Sequence, residues 1–223
     1  MISTFINMFN NPSFTVPEKI LYLLIYVFCI LFSLIIHEFA HGWVALKCGD
    51  PTAKWMGRLT LNPAKHLDPI GTLCMLFMRI GWAKPVPINP HNFRKYRRDY
   101  ILVSLAGIAM NALIFLVSTF FAVLIGMKGR AQWLQYVYDF LYILGQMNLC
   151  LAIFNLLPVP PLDGFRLLDQ LVFKGQLNLS RQAMNYIQIG FLIVCVSGLL
   201  NGLLNTVMGT VYVGVYNLFV GIL

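Results

Sequence analysis

The chain has 223 residues, of which 59% are hydrophobic and 11% charged, with a net charge of +8 and a mean hydropathy of +0.74. These values lie outside the range of an ordinary soluble domain and leave no room for a large soluble module. They predict one integral membrane domain over residues 1–223, with a core at about 20–170 and C-terminal helices at about 183–223.

The first twenty residues, "MISTFINMFNNPSFTVPEKI", lack the basic start, compact apolar stretch and small-residue cleavage site of a signal peptide, so the first apolar run is expected to stay in the mature protein. That run covers residues 20–46 and exceeds the roughly 20 helical residues that a bilayer core requires. Runs at 100–127 and 134–157 also span, and a fourth begins near 183 and reaches about 200. The glycine-punctuated tail at 203–223 is either a fifth span or a helix lying against the others. The fold class is therefore all-α and polytopic, with four to five transmembrane helices.

Residues 69–81, "PIGTLCMLFMRIG", are too short to cross and read as a re-entrant or interfacial piece. If they do not cross, thirteen of the sixteen Lys and Arg fall on one side, from Lys47 to Arg98 and at Arg166, Lys174 and Arg181. Lys19, Lys128 and Arg130 fall on the other. The positive-inside rule then places the 47–99 loop in the cytoplasm and the N-terminus outside. The basic segment "RKYRR" is matched to anionic lipid heads, and nucleic acid is not needed to explain the charge. Five cysteines with no CxxC spacing suggest neither a disulfide framework nor a cysteine metal site.

The first span carries "HEFAH". On a helix His37 and His41 are one turn apart and share a face, so both imidazoles can reach one ion. Glu38, about 100° round, can reach a water on that ion. Ionisable groups inside a span are expensive and usually mark function. Catalytic zinc takes three protein ligands and keeps a fourth position open. Candidates for the third are scarce: His66 and His91 lie in the loop. Among the acids, Asp163 in "NLLPVPPLDGF" is best placed, where three prolines stop the third span and Gly164 permits a tight turn at the same depth as His41. His66 and Asp68 in "KHLDP" read as surface polarity or an accessory pair.

"HEFAH" in an apolar helix, with "NLLPVPPLDG" far downstream and "GRLTLNPAKHLDPIGT" and "GWAKPVPINPHNFR" between, resembles the site-2 protease family of intramembrane zinc metalloproteases over residues 30–170. The match is to its compact bacterial and archaeal members, without PDZ-like or CBS-like modules. The resemblance implies that His37, His41 and Asp163 bind one Zn2+ and that Glu38 is the catalytic base. It also implies that Asn155, and Asn111 in "SLAGIAMNAL", serve substrate or transition state. The family has Gly-Pro where this chain has Gly107-Ile108. For Asn111 and Asn155, an interhelical hydrogen bond is an equally good reading.

The expected activity is hydrolysis of peptide bonds in or near a transmembrane segment of another protein, releasing a cytoplasmic fragment. Recognition and regulation are expected to come from partner proteins or from the lateral opening between helices, with a regulatory membrane partner or a homo-oligomer as the candidate assemblies. "MGRLTL" and "KPVPINP" are expected to form a short β-hairpin that could pair with unwound substrate, and "FRLLDQLVFKGQL" an amphipathic interfacial helix. The rival from another class is an inactive metal-binding scaffold or transporter. A di-iron oxygenase fails because the chain has only four histidines.

Overall fold

A computed structural model describes residues 14–66, 68, 84–128, 131–177 and 179–223. The long helix α1, Val16–Cys48, begins where the Thr15 N–H donates to the Glu18 carboxylate (2.8 Å). It ends at Gly49, whose φ of 110° suits a residue without a Cβ. Thirty-three residues make a rod of about 50 Å, longer than a bilayer core of roughly 30 Å. The HExxH turn sits near its C-terminal end. Two single-turn helices follow, α2 (Thr52–Trp55) and α3 (Pro63–His66), and then a 3-10 turn at Pro90–Asn92.

Helices α4 (Tyr96–Lys128) and α5 (Gln132–Asn155) form the most extensive helix pair, and α1 packs against both. Three apolar clusters join them. Tyr22 and Cys29 meet Ile143 and Leu144 between α1 and α5, whereas Ala45 and Cys48 meet Phe93 and Val103 where the loop returns. Phe115 and Leu149 meet Met208 of the last helix. Between α1 and α5, Asn148 Nδ2 donates to Ser33 Oγ (2.8 Å) in the buried interior, the kind of polar contact that holds helices together in lipid.

After α5 the chain breaks at residues 156–162 and restarts as α6, Asp163–Leu171. Arg97 of α4 donates from Nε to the Gln170 carbonyl (2.9 Å) and from Nη2 to the Leu171 carbonyl (3.2 Å). It thereby satisfies carbonyls at the end of α6 that have no intrahelical partner. Gly198, at φ 77°, separates α7 (Arg181–Ser197) from α8 (Leu199–Ile222).

Among the described residues four helices are long and apolar enough to cross a membrane: α1, α4, α5 and α8. The protein is an all-helical multi-pass membrane protein. The fourth of these, α8, covers the 203–223 tail, and the 183–200 run forms the shorter helix α7. The break at Gly198 leaves α7 only 17 residues, about 25 Å of helix. Large apolar side chains on the outer faces, such as Ile20, Leu24, Phe28 and Leu113, are half or more exposed, as lipid contact requires.

The expected β-hairpin is not formed. Among the described residues there is no strand: 56–62 is turn and coil, and 84–89 has no regular structure and no partner strand. Three residues of "KPVPINP" are prolines with no N–H. Two of the remaining N–H groups are taken by side chains, Val86 donating to Glu38 and Asn89 to Asp50. The re-entrant reading of 69–81 lies outside the described residues.

Candidate metal centre

The face of α1 that carries His37 and His41 turns inward, and both are buried, 6% and 4% exposed. Asp163 is brought to them by the break after α5. At Gly164 a Cβ would overlap the carbonyl oxygens of Leu156 and Leu157, so glycine lets the first turn of α6 fold back onto the end of α5. Asp163 Oδ2 then lies 3.1 Å from His37 Nε2 and 3.0 Å from His41 Nε2, and the two Nε2 atoms are 3.0 Å apart. Among the described residues this is the one group of three or more His, Cys, Asp or Glu able to share an ion.

The three atoms fit a tetrahedral ion. Bonds of about 2 Å to nitrogen and oxygen imply ligand separations of about 3.3 Å, a few tenths of an ångström above those seen. The donor chemistry agrees. His41 Nδ1 lies 2.7 Å from the Val103 carbonyl, an acceptor, so the ring proton resides on Nδ1 and the Nε2 lone pair faces the cluster. Burial alone would raise the Asp163 carboxyl, but its contacts with His37 and His41 outweigh it and hold the group well below the usual carboxylate range. Its other oxygen lies 3.7 Å from Arg166 Nη1.

Helix α4 closes the site from the opposite side. A Cβ built on Gly107 would fall 2.5 Å from both His37 Cε1 and His41 Nε2, so the α4 backbone rests directly on the two rings. Asn111, one turn further on, is fully buried with its amide 3.3 Å from His37 Nδ1.

Glu38 stands outside the three-atom cluster, and its Oε2 accepts the Val86 N–H (2.8 Å). The segment carrying Val86 is fixed at several points. Arg58 Nη2 donates to the carbonyls of Lys84 (2.7 Å) and Pro85 (3.0 Å). Val86 seats against Gly42, where a Cβ would meet its Cγ1 at 3.0 Å. Asp50, fully buried, accepts the Asn89 N–H (2.7 Å), Asn92 Nδ2 (2.8 Å) and the Thr52 hydroxyl. Burial raises the Asp50 carboxyl, but bonds from Thr52, Asn92 and Asn89 outweigh this and bring it below its ordinary value.

The other expected residues are placed elsewhere. Asn155 Nδ2 donates to the Leu151 carbonyl of its own helix (3.0 Å). His66 is buried, against the expectation of surface polarity, with Nε2 2.7 Å from the Thr60 carbonyl.

The family model Peptidase family M50 matches residues 122–197, which include Asn155 and Asp163. The Bacillus subtilis protein named "Putative zinc metalloprotease YwhC" is 44% identical over 176 residues, 78% of this chain and 80% of that protein. The chain belongs to peptidase family M50. A Mycolicibacterium smegmatis protein named "Putative zinc metalloprotease Rip2" is 32% identical, covering 74% of this chain and 63% of its own length. "Zinc metalloprotease MJ0392" of Methanocaldococcus jannaschii is 28% identical, covering 88% and 47%. No solved structure matches.

Membership of M50 makes the chain a membrane-embedded metalloprotease, and the resemblance drawn from "HEFAH" and "PPLDG" holds. Val103, Asp50 and Arg58, and the seat of the histidine rings against Gly107, escaped the sequence reading. Val103 acts through its carbonyl, which any residue would supply. The spacing 103, 107, 111, four residues each time on one helix face, was a usable signal for α4. "DPT" after a helix stop was one for Asp50.

Proposed function

We propose that His37, His41 and Asp163 hold one zinc ion and that Glu38 is the general base of an intramembrane peptidase acting on transmembrane protein substrates. The observation that carries this reading is the convergence of three buried donor atoms, within 3.1 Å of one another, from two segments 122 residues apart. Bound there, zinc supplies Lewis-acid polarisation of a water and of the scissile carbonyl. The anionic Asp163 offsets the ion's charge inside the protein, and the His41–Val103 contact keeps one imidazole in the ligating tautomer.

Glu38 takes the proton of the attacking water on its carboxylate and returns it to the leaving amine. The Val86 N–H bond to Oε2 orients that carboxylate and ties the base to segment 84–89. With the 47–99 loop in the cytoplasm, the site lies near the cytoplasmic face, the N-terminus is outside and the product is a cytoplasmic fragment. A transporter or inert scaffold is not favoured: transport would spread ionisable groups along a path, and here they converge at one point.

The test is co-expression with a panel of single-span membrane regulators, wild type beside Glu38→Gln, with zinc counted in each purified protein. Cleavage by wild type and a rate about 10²- to 10⁴-fold lower in Glu38→Gln, at equal zinc content, is expected. Cleavage by Glu38→Gln at the wild-type rate would overturn the role of Glu38. Zinc content unchanged in Asp163→Ala would remove the third ligand.

A further inference from the structure

Three residues of α4, each one turn from the next, face the histidine pair. The Val103 carbonyl meets His41 Nδ1, the Gly107 backbone underlies both rings, and the Asn111 amide meets His37 Nδ1. Val103 has a clear task, fixing the His41 proton on Nδ1. His37 makes the symmetrical demand. Its Nε2 faces the cluster, so its Nδ1 carries the proton and needs an acceptor. The atom of Asn111 drawn toward it is Nδ2, at 3.3 Å, while Asn111 Oδ1 is buried without a partner among the described residues.

The two orientations of a carboxamide occupy the same space and differ only in which atom donates. With Nδ2 toward the ring, His37 Nδ1 would have to accept, and the ring proton would move to Nε2, between His41 Nε2 and the Asp163 carboxylate, where an ion must bind. With Oδ1 toward the ring, Nδ1–H donates to the amide and Nε2 keeps its lone pair. Either way one amide atom lacks a partner among the described residues, so the choice is decided at His37.

We propose that Asn111 is the positioning residue for His37, accepting its Nδ1–H through Oδ1 and so reserving Nε2 for the metal. The inference rests on the metal-site reading above. It gives Asn111 a task distinct from donating to substrate: α4 supplies one acceptor to each imidazole, a main-chain carbonyl for His41 and a side-chain amide for His37.

The experiment is zinc affinity of the full-length, detergent-purified chain, stripped of metal and titrated against a chromophoric zinc chelator. Substituting cobalt gives a second readout through its visible ligand-field bands. Asn111→Leu, which keeps bulk and loses the acceptor, is expected to weaken zinc binding about 10- to 100-fold, the usual range for such outer partners, and to alter the cobalt spectrum. Asn111→Asp, which keeps an acceptor but cannot donate, is expected to retain affinity and spectrum close to wild type.

Affinity unchanged in Asn111→Leu would overturn the proposal. So would a loss in Asn111→Asp as large as in Asn111→Leu, because a donor or purely structural role would then be indicated. If Asn111→Leu does not yield a monodisperse protein, Asn111→Ala takes its place and Asn111→Asp still discriminates. His37→Ala and Asp163→Ala separate the two levels. If both bind zinc as wild type does, the metal site itself is wrong. If both lose it and Asn111→Leu does not, only the assignment of Asn111 falls.

Discussion

The two ends of the chain solve the problem of living in lipid in opposite ways. Helices α1, α4 and α5 and the start of α6 bury Ser33, His37, His41, Asn111, Asn148 and Asp163 against one another, whereas α7 buries no residue and α8 only Met208. Polar groups are expensive in hydrocarbon unless paired, so their concentration on facing surfaces of a few helices marks where function is held. The α7–α8 pair touches the bundle through a few apolar side chains, such as Met208 and Tyr212, and leaves many others exposed. The lesson is that apolarity alone does not distinguish these regions; what they bury does.

The contrast can be broken most severely at the ligands. Asp163→Ala is expected to take zinc from about one ion per chain to near none, read by metal analysis, and to abolish cleavage. Next is Glu38→Gln, which should leave zinc in place and reduce the cleavage rate by about 10²- to 10⁴-fold, the usual weight of general acid–base catalysis. Gly107→Ala inserts a methyl group where the imidazoles already sit. Overpacking of this kind costs about 1–3 kcal/mol, and thermal unfolding in detergent together with zinc content should register it.

The loop latch offers a milder test. Asp50→Ala removes hydrogen bonds to a carboxylate, each worth about 1.5–3 kcal/mol, and should make segment 84–93 more sensitive to limited proteolysis. Because the Asp50 carboxyl is brought below its ordinary value in the fold, its contribution is full above the ordinary carboxylate range and fades as pH falls through the lowered folded value. Wild-type protease sensitivity should therefore rise on acidification toward that of Asp50→Ala, while the variant changes less. At the far end, Ile193→Ala on the exposed face of α7 should shift stability by no more than about 0.5 kcal/mol. A loss of activity there would erase the contrast and give the C-terminal pair a functional surface.

The histidine pair and Asp163 could be read in the sequence because helical spacing and charge in an apolar run are local signals, and because proline and glycine announce the break that returns the chain to the same depth. The supporting parts are not local. A carbonyl at Val103, a missing Cβ at Gly107 and the pairing of Asn111 with His37 appear only once α4 lies across α1. The 203–223 tail stayed open between span and surface helix because its glycines punctuate an apolar run, whereas the backbone carries them in one continuous helix to Ile222. The hairpin failed because three prolines remove N–H groups from 84–90 and Glu38 and Asp50 claim those of Val86 and Asn89.

Helix α6 is only nine residues long, yet it is supported at both ends. Asp163 meets the imidazoles of α1 at its beginning, and Arg97 of α4 grips its final carbonyls. It is a beam resting on two posts rather than a bracket projecting from one. The third donor therefore owes its position to a closed circuit of α1, α4 and α6. Loosening the Arg97 post, far from any chemistry, would let the triangle of donor atoms open.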